Sequence, residues 1–112
     1  MAVDQHDFID MMSFDNINGD VILTISDHLE WSGTSEHQEI LQAKFNAYLA
    51  FVENGELVQR YPEAKGRPVV FRVVFKHKPD QEGRMFLERA SEIIQLAGFS
   101  LRQELFAESY DN

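Results

Sequence analysis

Asp27-His28-Leu29-Glu30-Trp31, followed by His37 and Glu39, is the stretch of this chain best suited to chemistry. Imidazoles and carboxylates are the donor types that hold zinc and related divalent ions. The segment follows the end of a predicted strand, and loops at such ends carry much of the binding and catalysis in proteins. Asp27, His28, Glu30 and His37 are therefore the candidate metal ligands. Their spacing matches no defined metal motif, and His28 and His37 fall on different elements. The competing reading is that Asp27 and Glu30 are solvated or cap backbone groups, while Leu29 and Trp31 anchor the loop on the core.

The other titratable groups offer less. His6, Asp7 and Asp10 are close in sequence, but on a strand they do not converge, and they read as solvent-facing. His77 lies between Lys76 and Lys78, whose charge disfavours a cation, and reads as an exposed strand end. With no cysteine, a thiol nucleophile, a Cys-type zinc site and a disulfide are all excluded. The six glycines are dispersed and form no phosphate-binding loop, and no G-x-S-x-G elbow occurs. No catalytic constellation emerges, and no cofactor is implied.

The elements that would position these groups follow from periodicity. Val69 to Phe75 is the densest run of strand-forming residues, with Arg72 its only charge, and reads as the central strand. Phe8 to Phe14 and Asp20 to Ser26 read as strands joined through Asn18-Gly19, a pair suited to a tight hairpin. A helix is predicted from about Glu36 to Glu53, with Ser35 and Gln38 at capping-box spacing and Asn54-Gly55 as its stop. Its apolar face is Leu41, Phe45, Tyr48, Leu49 and Val52. Ile40, Ala47 and Phe51 widen that arc, with Lys44 inside it, beyond what one sheet face requires. Leu57 to Tyr61 reads as a weak strand. A second helix is predicted from an Asp80 N-cap to Ala97, with Phe86, Ala90, Ile93, Ile94 and Ala97 as its buried face. Phe99 to Leu105 is the last strand.

The expected order is therefore ββαββαβ, a split βαβ or ferredoxin-like variant. The fold class is α+β: a two-layer sandwich with a mostly antiparallel sheet of four to five strands and two helices on one face. The 112 residues fit a single domain, 1–112, with flexible ends at about 1–5 and 107–112. A domain of this length buries roughly 65% of its unfolded-chain surface, enough for a core without staples.

Charge narrows the partners. The net charge is −9, and residues 1–43 hold nine acids and no Lys or Arg. Binding to a nucleic-acid backbone needs a basic footprint and is not expected. An acidic region of this kind either keeps the chain soluble or steers a basic partner. No apolar run approaches the ~20 residues of a membrane span, and no basic start precedes an apolar run, so neither membrane insertion nor a secretory leader is expected. A cytoplasmic location is the expectation.

With both helices on one side, the opposite sheet face carries Ile22, Thr24, Val70, Arg72, Val74, Lys76 and Arg102. Such an amphipathic face either is ordinary solvated surface or meets a protein partner or a second copy. The leading functional expectation is thus a non-enzymatic interaction domain, for example an inhibitor or immunity-type protein that neutralises a basic partner, or a homodimer. The alternative is a small enzyme, or a ligand- or metal-binding domain, with a pocket near residues 27–37.

Four blocks add a resemblance: Leu23 to Trp31, Phe45 to Glu56, Tyr61-Pro62-Glu63-Ala64-Lys65-Gly66-Arg67, and Ala97-Gly98-Phe99. Together they are similar to a family of small bacterial proteins known only as a domain of unknown function. The similarity covers nearly the whole chain. It implies a bacterial, cytosolic protein and carries over no catalytic residue.

Overall fold

The structure, a computed structural model, describes residues 11–31 and 35–105. The expected flexible ends, the His6, Asp7 and Asp10 group, and the first half of the Phe8 to Phe14 strand lie outside the described residues. The elements are β1 (Met11–Phe14), β2 (Val21–Asp27), α1 (Glu36–Glu53), α2 (Glu56–Arg60), β3 (Val69–Phe75), α3 (Gln81–Leu96) and β4 (Ser100–Leu105), with a 3-10 turn at Pro62–Ala64. The class is α+β, with a four-stranded sheet in the order β1-β2-β3-β4.

The directions of the strands differ from expectation. β1 is antiparallel to β2, but β2 pairs with β3 in parallel, and β3 with β4 in parallel. The cause is residues 57–61. Leu57 to Arg60 lie in the short helix α2 rather than a strand, and Tyr61 is its C-cap. Gly55, at φ +89, turns the chain directly out of α1 and serves as the N-cap of α2. Leu57 is buried, while Glu56 and Gln59 stay at the surface. With that strand gone, α1 joins β2 to β3 and α3 joins β3 to β4. Each join is then a βαβ crossover between adjacent strands, which must be parallel.

Crossovers of this kind are right-handed. Both step the same way across the sheet, so both helices land on the same face. Their packing agrees: the Phe45 ring of α1 stacks on Phe86 of α3 at 6.3 Å. Beneath them lie Val21, Leu23 and Ile25 of β2 and Val69, Phe71, Val73 and Phe75 of β3, all buried. Tyr48 meets Phe71 edge-on at 5.9 Å, and its hydroxyl donates to the Thr24 carbonyl at 3.0 Å. Lys44 is buried within the arc of α1, with its ammonium 5.5 Å from the Tyr48 ring centre.

The wide apolar arc of α1 is accounted for on both flanks. Phe45 and Leu49 turn toward α3. Phe51 turns toward α2, where the Arg60 guanidinium lies 5.8 Å from its ring. The expected capping box does not form: the Ser35 hydroxyl bonds the Glu39 carboxylate at 3.2 Å instead of capping a backbone N–H. Asp80 does cap α3, accepting from the Gly83 N–H at 2.7 Å.

The β1–β2 connection is longer than a two-residue hairpin. Asp15 Oδ1 accepts from the N–H groups of Ile17 and Asn18, and only Gly19 has a positive φ, +77. Arg67 closes the turn from outside, donating to the Gly19 carbonyl at 2.8 Å and lying over the Phe14 ring.

On the sheet face away from the helices, Arg72 pairs with Glu104 of β4 at 2.9 Å. The hydrogen bond from Arg72, more than its charge, holds the Glu104 carboxyl below the usual carboxylate range. A lowered folded-state pKa adds stability above the unfolded pKa, which is lost as the pH falls through the folded one. Urea midpoints of Glu104→Gln should lie below those of the unmodified chain at neutral pH, with the gap closing in acid. A gap independent of pH would show that the pair contributes nothing electrostatic.

Candidate functional site

Asp27 is the last residue of β2 and His37 lies in the first turn of α1, so the crossover brings together two groups ten residues apart. His37 Nε2 lies 2.6 Å from Asp27 Oδ2. Both are buried, at 2% exposure for Asp27 and 4% for His37. The other ring nitrogen, Nδ1, lies 3.2 Å from the Glu30 carbonyl. A carbonyl only accepts, so Nδ1 carries a hydrogen and donates it. Nε2 faces a carboxylate oxygen, and one proton sits between the two atoms. Both ring nitrogens are thus committed. The second carboxylate oxygen, Oδ1, accepts from the Leu29 N–H at 3.1 Å.

Trp31 seals this pair. Its ring stacks on His37 with centroids 3.8 Å apart, and its indole N–H donates to the His77 carbonyl at 3.2 Å. Its outer edge rests on the first turn of α3, where Gly83 leaves room for it. A Cβ at Gly83 would lie 2.7 Å from two atoms of the Trp31 ring. The segment 27–31 therefore ties the end of β2 to the start of α1, to the loop after β3 and to the start of α3.

The four metal candidates do not converge. Asp27 and His37 meet, Glu30 takes part only through its backbone carbonyl, and His28 is exposed. No group of three or more His, Asp or Glu among the described residues could hold a metal ion. With both imidazole nitrogens bonded, His37 can neither ligate a metal nor accept a substrate proton without breaking an internal bond. The pair acts as a fastener. Sequence reasoning found its members but not their pairing; the one signal was an acid at a strand end and a histidine in the following helix's first turn.

Six of the seven residues expected on the free sheet face alternate in register across β2, β3 and β4, whereas Lys76 follows the end of β3. Ile22, Thr24 and Val70 are nevertheless buried, and the Thr24 hydroxyl has no hydrogen-bond partner among the described residues. Arg72 and Val74 are half-buried, and Lys76 and Arg102 are exposed. The accessible part of this face is therefore its polar, carboxyl-terminal half. His77 is half-buried rather than an exposed strand end.

The helical layer offers a different surface. Between α1 and α3 runs a groove of about 160 Å³, lined by Phe45, Leu49, Phe86, Ala90, Ile93 and Ile94, with Gln42, Asn46 and Arg89 at its rim. The buried face of α3 matches its expected position in part: Ile94 is buried and Phe86 and Ala90 pack against the core, but Gly83 and Leu87 point inward as well. Ala97 is exposed, and Ile93, at 55% exposure, stands at the mouth of the groove. Leu87, which the helical pattern omitted, takes the place beneath it, because Gly83 and Trp31 set the roll of the helix.

Two substitutions test the fastener. Asp27→Ala leaves a buried ring nitrogen of His37 without its partner and should cost about 1–3 kcal/mol in urea unfolding; a loss under about 0.5 kcal/mol, the range of an ordinary surface substitution, would contradict the account. Gly83→Ala, which in an ordinary helix gains about 1 kcal/mol, should lower the melting temperature here and shift the emission of the single tryptophan. A higher melting temperature with unchanged emission would show that Trp31 does not rest on that turn.

No curated protein and no solved structure matches the chain. A family model does, over residues 1–107, and its description is a family of unknown function. That agrees with the resemblance carried by the four sequence blocks, and the chain belongs to this family, DUF6572.

Proposed function

We propose that this chain is a protein-interaction domain without catalysis of its own, and that it meets its partner through the outer side of its helical layer. The observation that carries this reading is where the large apolar side chains are left exposed. Of the four exposed large apolar side chains among the described residues, Ile17 stands apart in the β1–β2 connection, while Met85 at 54%, Ile93 at 55% and Leu96 at 88% all belong to α3, and Ile93 opens directly into the groove against α1. A clustered apolar surface with a polar rim is a common signature of a binding site.

Two further features support the reading. The best-placed acid–base pair, Asp27 and His37, is spent on holding the fold together. The acids Glu30, Glu36 and Glu39 remain exposed near the start of α1, where they can steer a basic partner, as an inhibitor or immunity-type protein would require. The polar half of the free sheet face, with Lys76 and Arg102, is a weaker candidate because its apolar members are buried.

The test is chemical cross-linking in extracts of the source cell at low and high salt, using the native chain and Ala90→Glu/Ile93→Glu, with circular dichroism to confirm that the variant folds. A cross-linked species that falls about tenfold in the variant, the loss expected for a charge placed in an apolar contact, supports the reading. Identical cross-linked species from both chains would overturn it.

A further inference from the structure

Met85, Arg89, Glu92 and Leu96 form a second stripe on α3, beside the groove and sharing only its Arg89 rim. Their spacings of four, three and four residues keep them within about 60° of one another around the helix, which turns about 100° per residue. They lie on the side opposite Leu87, which is buried. All four are exposed, and Arg89 and Glu92 make no ion pair among the described residues. A 4-3-4 spacing is that of the seam of an antiparallel or parallel helix pair.

The stripe reads apolar, basic, acidic, apolar. Reversed, it reads apolar, acidic, basic, apolar, which is its own electrostatic complement. Two copies of α3 packed antiparallel about a two-fold axis would set Met85 against Leu96 at both ends, and Arg89 against Glu92 twice in the middle. That is the self-complementarity an isologous contact requires. The polar pair in the middle would fix the orientation, since a parallel arrangement sets like charges together.

We infer that the partner of the helical layer is a second copy of this chain, joined through antiparallel α3 helices. This rests on the reading of the helical layer as the binding surface and makes its occupant a second acidic chain rather than a basic partner. The net charge of −9 does not oppose it strongly. The excess lies in residues 1–43, whereas α3 holds Glu82, Glu88 and Glu92 against Arg84 and Arg89. From Met85 to Leu96 the stripe runs roughly 16 Å at 1.5 Å per residue. A contact of that length lies at the small end of protein interfaces, so the dimer is weak and concentration-dependent.

The experiment is sedimentation equilibrium up to about 1 mM, a range that reaches weak association, of the native chain, of Arg89→Glu, of Glu92→Arg, and of the two variants mixed. Both positions are exposed, and Arg and Glu have similar helix propensity, so both variants should fold. The native chain should dimerise. Each variant alone should dimerise roughly tenfold or more weakly, because each sets like charges together twice. The mixture should recover native affinity to within about threefold, because the first variant then presents an acid at both positions and the second a base at both. A native chain that stays monomeric, variants that dimerise as well as it does, or a mixture without recovery would overturn the inference. If Ala90→Glu/Ile93→Glu still loses a cross-linked protein while the native chain is monomeric, the second copy is ruled out and the helical layer stands as a surface for another protein. If the native chain dimerises as described and Ala90→Glu/Ile93→Glu also loses its cross-linked species, both hold.

Discussion

The hydrogen bond between Asp27 and His37 is the interaction on which the arrangement of this molecule depends. It joins the last residue of β2 to the first turn of α1. Burial of either group alone would be costly, whereas together, with the Glu30 carbonyl and the Leu29 N–H completing their hydrogen bonds, their polar atoms are satisfied. Trp31 extends the connection to the loop after β3 and the first turn of α3. The carboxyl ends of two parallel strands and the starts of both long helices are therefore set by one cluster of three side chains.

From that cluster the layering follows. Two successive βαβ crossovers of one hand, stepping in one direction, leave both helices on one face. The helices share the burial of Phe71 and its neighbours, and the groove between them is not filled along its outer side. The roll of α3 is fixed from below by Leu87 and Ile94 and at its start by the contact of Gly83 with Trp31. That roll turns Ile93 to the groove mouth and Met85 and Leu96 to solvent. The exposed apolar surface of α3 is thus a consequence of how the fastener seats the helix. The same imidazole that looked suited to catalysis or metal binding instead helps to set which apolar surface stays exposed.

Much of this was legible in the sequence. Val69 to Phe75 announces a central strand, the Asp80 cap and Gly98 bound α3, and Asn54-Gly55 ends α1. Strand direction was not legible, because alternation of side chains is the same in parallel and antiparallel sheets. The direction hinged on residues 57–61, where Leu57 and Val58 suggested a strand and a glycine at positive φ made a short helix. The face of α3 was read in part: Phe86, Ala90 and Ile94 do meet the core, but within the helix Ile93 and Ala97 extend that stripe as well as Gly83 and Leu87 do. What decides between them is the fit of Trp31 against a residue without a side chain, and no pattern within the helix records that. The pairing of Asp27 with His37 was hidden for a similar reason: proximity depends on how the loop closes, while composition offered His28 and Glu30 as equal candidates.

The central claim is that His37 is an internal fastener with both ring nitrogens occupied. Long-range proton–nitrogen correlation spectroscopy of the histidine rings, followed through solvent exchange and after zinc addition, tests it most directly. The account predicts that the ring protons of His37 exchange far more slowly than those of exposed His28 and that zinc leaves its signals in place. Exchange as fast as that of His28, or His37 signals that move on zinc addition, would contradict it.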